Sequence, residues 1–143
     1  MKQSFILLLS IILFSTNTSI AQKLKLEVKG KDTISFIKIS LEKILEDIDK
    51  YDNLWVEIEG TYKYGHEFSL IFPSVNPGKP RTTFYGLWVD FNMAVFKPHN
   101  PYNFLNKLTD KKIRMRGKVD KQNTGHLNKF PGSISNVYYF EEL

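Results

Sequence analysis

The chain has 143 residues, no cysteine and a formal net charge of +5. Without thiols there is no disulfide framework, no cysteine nucleophile and no thiolate zinc site, so the fold must rest on packing. The charge is uneven: residues 22–60 are slightly acidic, through Glu42, Glu46, Asp47, Asp49, Asp52, Glu57 and Glu59, whereas Lys111, Lys112, Arg114, Arg116, Lys118 and Lys121 make the later part basic. That asymmetry suits a basic face for an anionic partner, or, more simply, solvated edge strands guarded by charge.

Residues 1–21 read as a secretory signal peptide. Lys2 is the only charged side chain before an apolar run over 5–14, broken only by Ser10. A polar stretch follows over 15–18, and Ser19-Ile20-Ala21 places small residues where a signal peptidase reads, with cleavage expected between Ala21 and Gln22. The apolar run falls well below the roughly 20 residues that span a bilayer. The expectation is an exported protein, periplasmic or extracellular, with no membrane anchor in the mature chain and one domain over 22–143.

In residues 23–28 apolar and charged side chains alternate, with Leu24, Leu26 and Val28 on one side, which predicts a short strand or extended arm. Ser40 is placed as a helix N-cap, although Lys43 leaves the capping box incomplete. Leu41, Ile44, Leu45 and Ile48 form one apolar stripe of an amphipathic helix that should end near Tyr51-Asp52-Asn53. The period then becomes two. Val56 and Ile58 alternate with Glu57 and Glu59 in a strand running on to Tyr64, Gly65 supplies a turn, and 66–72 is a second strand. Pro73, Pro77, Gly78 and Pro80 make 74–81 a loop, and 83–91 is a third strand, apolar on both faces over much of its length. Phe104, Leu105 and Leu108 predict a short helix over 102–108. A fourth strand spans 112–119, a Gly-containing loop 120–132, and a last strand 133–141.

Three strands, a helix and two strands is the element order of an OB-fold, a small Greek-key barrel. Gly60 and Gly117 lie late in the first and fourth strands, where a coiled barrel strand must bend. The segments Leu41-Glu42-Lys43-Ile44-Leu45, Tyr51-Asp52-Asn53-Leu54-Trp55-Val56-Glu57-Ile58-Glu59-Gly60, Gly86-Leu87-Trp88-Val89-Asp90-Phe91, Lys111-Lys112-Ile113-Arg114-Met115-Arg116-Gly117-Lys118-Val119-Asp120, Gly125-His126-Leu127 and Pro131-Gly132-Ser133-Ile134 carry a resemblance. They are similar to a family of small exported bacterial OB-fold-like proteins, over about 39–142. The resemblance implies a fold and an address, and no activity. The expected fold is therefore mainly β: a five-stranded OB-like Greek-key barrel with an N-terminal amphipathic helix and a short helix between strands three and four.

Three groups of side chains are candidates for a site. His66, His99 and His126 are too far apart in sequence for a sequential metal motif. His66 and His126 nevertheless fall in two loops that flank one face of an OB-fold, where a shared metal or anion site with Glu67 is conceivable. The simpler expectation is that His126 pins its own loop. Aromatics are abundant, namely Tyr62, Tyr64, Phe84, Tyr85, Trp88, Tyr138 and Tyr139. With Leu87, Val89 and Phe91 pointing inward, Trp88 and Asp90 point out and suit a sugar ring, unless the N-terminal helix or arm covers Trp88. Arg114, Arg116 and Lys118 share one face of the fourth strand and are able to grip phosphates, but Glu57 and Glu59 on the neighbouring strand should pair with them.

No Gly-x-Ser-x-Gly elbow, phosphate-binding glycine loop or zinc-helix motif is present, so neither a catalytic residue nor a cofactor is expected. The leading expectation is a non-catalytic binding module for a protein, peptide or glycan, with Trp88, Asp90, Arg114, Arg116 and His126 as candidate ligand-binding residues. The alternatives are a metal-dependent hydrolase on the rim near His66, Asp90 and His126, and a nucleic-acid-binding OB domain, which the exported address disfavours.

Overall fold

Alternating side chains become the wall of a closed barrel. The computed structural model describes residues 24–143 except 29, 32, 75–84 and 98; the proposed leader, Phe84 and most of the 74–81 loop lie outside the described residues. In chain order the elements are β1 (Lys25–Glu27), β2 (Ile37–Lys38), α1 (Leu41–Glu46), α2 (Ile48–Tyr51), β3 (Trp55–Gly65), β4 (Phe68–Phe72), β5 (Leu87–Phe91), a 3-10 turn (Met93–Phe96), α3 (Pro101–Leu108), β6 (Lys112–Asp120), a second 3-10 turn (His126–Asn128) and β7 (Ser133–Glu142).

Five strands close on themselves. β3 pairs antiparallel with β4 and β4 with β5; β5 runs parallel to β7; β7 pairs antiparallel with β6, and β6 with β3. The expected mainly-β, five-stranded barrel is therefore present, with mixed strand directions. Two further strands extend it: β1 lies antiparallel on β7, where the alternation of 23–28 placed an arm, and β2 lies parallel on β3, which the sequence reading did not anticipate.

The expected long amphipathic helix is two short ones. Asp47 adopts φ −153° and ψ 75°, breaks the first and caps the second by accepting from the Lys50 N–H at 3.4 Å. Asp competes with the helical backbone for just such bonds, which is why a continuous apolar stripe did not secure a continuous helix. Ser40 occupies the N-cap of α1 without a side-chain bond. The helix between the third and fourth barrel strands is present as α3, where Asn100 Oδ1 accepts from the Tyr102 N–H at 3.0 Å and Pro101 sits in the first turn. His66 belongs to the β3–β4 turn rather than to the second strand.

Two glycines let the barrel close. β3 pairs with β6 up to Thr61 and with β4 from Thr61 onward, and Gly60 stands at this change of partner. A Cβ there would run into the Phe72 carbonyl oxygen and meet Ile71 Cγ1 at 2.7 Å. Opposite Gly117 the pairing shifts: Arg116 faces Tyr139 while Lys118 faces Ser135, so β7 uses four residues where β6 uses two. The bulge centres on Asn136 at φ 51°, and its backbone presses on Gly117, where a Cβ would lie 2.9 Å from both Ile134 Cγ1 and the Ser135 carbonyl oxygen.

The interior is apolar. Val56, Ile58, Tyr62, Ile71, Leu87, Val89, Ile113, Met115, Val119, Ile134, Val137 and Phe140 are buried, and Leu41 and Ile44 of α1, Val95 and Phe96 of the 3-10 turn, and Leu105 and Leu108 of α3 join the same cluster. Phe91 packs edge-on against Phe96 at 5.3 Å and Phe140 at 5.5 Å, in the geometry that the ring quadrupole favours. Tyr62 shares a 2.9 Å hydrogen bond with Ser69 Oγ, and burial pushes its phenol well above the usual range.

Candidate functional site

Strand register arranges the outer face of β3, β6 and β7 in two rows. Lys38 of β2 stands opposite Glu57 of β3, which stands opposite Arg116 of β6 and then Tyr139 of β7. In the next row Glu59 faces Arg114, Arg114 faces Glu141, and Glu141 faces Lys25 of β1. Opposite charges thus meet directly across strands, where side chains are close enough to pair.

The contacts are short. Arg114 donates to Glu59 Oε1 from Nη2 at 2.7 Å and Nε at 3.0 Å, and to Glu141 Oε2 from Nη1 at 3.2 Å. Arg116 Nε donates to Glu57 Oε2 at 2.8 Å, and its guanidinium lies between two rings, 4.1 Å from the centre of Phe36 and 4.3 Å from that of Tyr139. Such double stacking suits the planar, weakly hydrated guanidinium. Tyr139 Oη donates to Glu141 Oε2 at 2.8 Å. Burial, reinforced by that bond to a carboxylate, pushes the Tyr139 phenol up to about 12. The same bond, ahead of the charges of Arg114 and Lys25, holds the Glu141 carboxyl below its ordinary range. The hydrogen bond to Glu59 raises Arg114 further.

Beside this face runs a groove of about 530 Å³, bounded by residues 38–42 on one side and by Glu57, Glu59, Lys112 and Arg114 on the other. Glu57 is only 6% exposed. Its Oε2 takes the Arg116 bond, while among the described residues its Oε1 is approached at longer range, by Lys38 Nζ at 3.5 Å and Arg114 Nε at 3.8 Å. Ser74 also lines the groove, and its buried Oγ has no hydrogen-bond partner among the described residues.

The second surface is the loop between β6 and β7. Asp120 Oδ1 accepts from the N–H groups of Gln122 at 2.9 Å and Asn123 at 3.2 Å, and Asn123 Oδ1 accepts from Gly125 N–H at 3.3 Å. The chain then turns through positive φ at Gly125, Leu127 and Asn128. Gly125 lies flat on the indole of Trp88, where a Cβ would come within 2.7 Å of the ring, and Phe130 packs beside the same indole at 5.9 Å. Trp88 and Asp90 do point away from Leu87, Val89 and Phe91, as the alternation implied. The cover over Trp88, however, is this loop and not the N-terminal helix or arm. Asp90 reaches solvent, yet partial burial, with the charge of Asp120 added, raises its carboxyl above the ordinary range.

The candidate residues therefore divide. Arg114 and Arg116 converge on Glu57, with Glu59 paired as expected, whereas Trp88, Asp90 and His126 belong to the loop side, with β7 between the two strands that carry the two groups. His126 Nε2 lies 3.8 Å from Glu67 Oε2, so the β3–β4 turn and the β6–β7 loop do meet. His66 is exposed in that turn, and among the described residues no three His, Asp or Glu side chains converge closely enough to hold a metal ion. Of the aromatics, Tyr62, Tyr138 and Tyr139 are buried and serve packing. Phe36, Lys38, Ser74 and Glu141 escaped the sequence reading; the β-branched run Ile34-Ser35-Phe36-Ile37-Lys38-Ile39 was the available signal for the first two. Comparisons with protein-family models, curated proteins and solved structures find no match to this chain.

Proposed function

We propose that this protein is an exported, non-catalytic binding module on an OB-like barrel, and that its ligand, a protein, peptide or glycan, occupies the groove between residues 38–42 and the outer face of β3 and β6. The groove carries the reading, because the barrel interior is filled by side chains and this concavity combines apolar wall with charged side chains able to recognise a ligand by hydrogen bonding and charge. Strand order supports the OB-like part: β3-β4-β5-β7-β6 closing on β3, with β5 parallel to β7 and α3 between β5 and β6. The leader pattern of residues 1–21 supports export.

Nucleic acid fits this groove poorly. Its cations Lys38, Lys112 and Arg114 are matched by the acids Glu42, Glu57 and Glu59, so it offers no net attraction to a polyanion. Titrating the isotopically labelled protein with charged peptides and oligosaccharides tests the site. Amide shifts are expected over 38–42, 57–59 and 112–114, lost in Glu57→Gln and kept in Trp88→Ala. Shifts confined to Trp88, Asp90 and 125–130 would move the site to the loop and overturn the groove. N-terminal sequencing of secreted material should begin at Gln22.

A further inference from the structure

We infer that the groove receives a primary ammonium group on Glu57 Oε1, and that Lys38 is the chain's own stand-in for that ligand. The inference rests on the groove being the binding site. A carboxylate as buried as Glu57 is costly unless both oxygens are satisfied. Oε2 is satisfied by Arg116 at 2.8 Å. Oε1 has Lys38 Nζ at 3.5 Å and Arg114 Nε at 3.8 Å, both beyond the roughly 2.7–2.9 Å of a charge-assisted bond. Arg114 is already committed through Nε and Nη2 to Glu59 and through Nη1 to Glu141.

Lys38 is loosely placed by comparison. Its side chain is 76% exposed, and it stands on a strand of two residues joined to β3 by two register pairs and the Ile39 N–H bond to the Glu57 carbonyl at 3.1 Å. An incoming ammonium that approaches Oε1 more closely displaces it without breaking the fold. Ser74, whose buried Oγ has no partner among the described residues, and Glu59, 44% exposed, line the same groove. A compact ammonium, whose donors rotate freely, can bond the single free oxygen of Glu57. A guanidinium is a larger, rigid planar fork, and with Oε2 taken by Arg116 only the single oxygen Oε1 of Glu57 is left for it.

The test is an amide-shift and calorimetric titration with Nα-acetyl-lysine methylamide, glucosamine, Nα-acetyl-arginine methylamide and acetate. The lysine or glucosamine probe should shift residues 38–42 and 57–59, the stronger response marking a peptide or an amino-sugar source; the arginine probe should bind about tenfold more weakly. Lys38→Met should tighten binding of the ammonium probe about threefold or more, and Glu57→Gln should abolish it. Glu57→Gln also strips Arg116 of its partner, so Ser74→Ala serves beside it, with an expected loss of about threefold and an otherwise unchanged spectrum. Unchanged or weaker binding in Lys38→Met, or equal binding of lysine and arginine probes, overturns the inference. If acetate shifts the groove amides while both ammonium probes stay silent, the ammonium assignment falls and the groove stands. If nothing shifts them, both fall.

Discussion

The outer face of β3, β6 and β7 and the loop between β6 and β7 are both built from charged, amide and aromatic side chains, yet they are held by different forces. On the sheet face Arg116 is fixed by a carboxylate 59 positions away in sequence and by two rings from separate segments. In the loop most polar bonds are local, Asp120 to Gln122 and Asn123, and Thr124 to Asn128, and the order comes from backbone bends at positive φ laid against one indole. The sheet face is a long-range network whose members depend on one another. The loop is a locally shaped lid over Trp88.

The sharpest way to break that contrast is Arg116→Ala. It leaves Glu57 buried beside a vacated space and unstacks Phe36 and Tyr139, so a loss of about 3 kcal/mol is expected in urea denaturation. Replacing Arg116 and Glu57 together by methionine should recover most of it, because no lone buried charge then remains. Recovery of nothing would mean that the stacked guanidinium, and not the ion pair, holds the face.

Gly125→Ala comes next. The position has φ +67° and lies against the Trp88 ring, so about 2 kcal/mol should be lost. In a Trp55→Phe background, Trp88 emission should shift to the red as the loop lifts. An unmoved spectrum would show that the loop is not what shields the indole. Arg114→Ala should cost less, about 1 kcal/mol, since its partners Glu59 and Glu141 are part-exposed, and the difference should shrink in high salt.

The smallest effects distinguish the two regions by their sign with pH. Glu141 has a lowered carboxyl in the folded state, so its contribution is complete above the unfolded carboxylate range and disappears as pH falls through its folded value. Glu141→Gln should therefore be less stable than the parent at neutral pH and converge with it in acid. Asp90 has a raised carboxyl, so its ionisation favours the unfolded chain as pH rises through the unfolded and then the folded value. Asp90→Asn should be more stable than the parent at neutral pH, the gain vanishing in acid. Thermal melts across pH 2–7, a span chosen around the carboxylate range, check both signs.

Much of this molecule is written in short-range pattern. The alternation of Ile113, Met115, Gly117 and Val119 with Lys112, Arg114, Arg116 and Lys118 specifies both a strand and its faces, because successive side chains leave a strand on opposite sides whatever it pairs with. The pairing of Glu57 and Glu59 with Arg116 and Arg114 was legible for the same reason: with both strands amphipathic, outward acids have outward bases as neighbours. The interior positions of β3, β5 and β6 and the helix capped at Asn100 belong with these.

What no local pattern contains is the choice between packing solutions of similar local merit. Ile37 and Lys38 form a strand because a free edge of β3 lies beside them; Gly125 covers Trp88 because the β6–β7 connection folds back over β5; and the apolar stripe from Leu41 to Ile48 is cut because Asp47 finds a backbone N–H to cap. The groove is of this kind as well. It exists where residues 38–42 meet strands 15 or more positions later in the chain, and Glu57 is flanked by β2 and β6, with Phe36 packed on the Arg116 that pairs with it. Alternation fixes which way a side chain faces, but burial and partnership depend on which distant segment arrives there, and that is set by closure of the whole barrel.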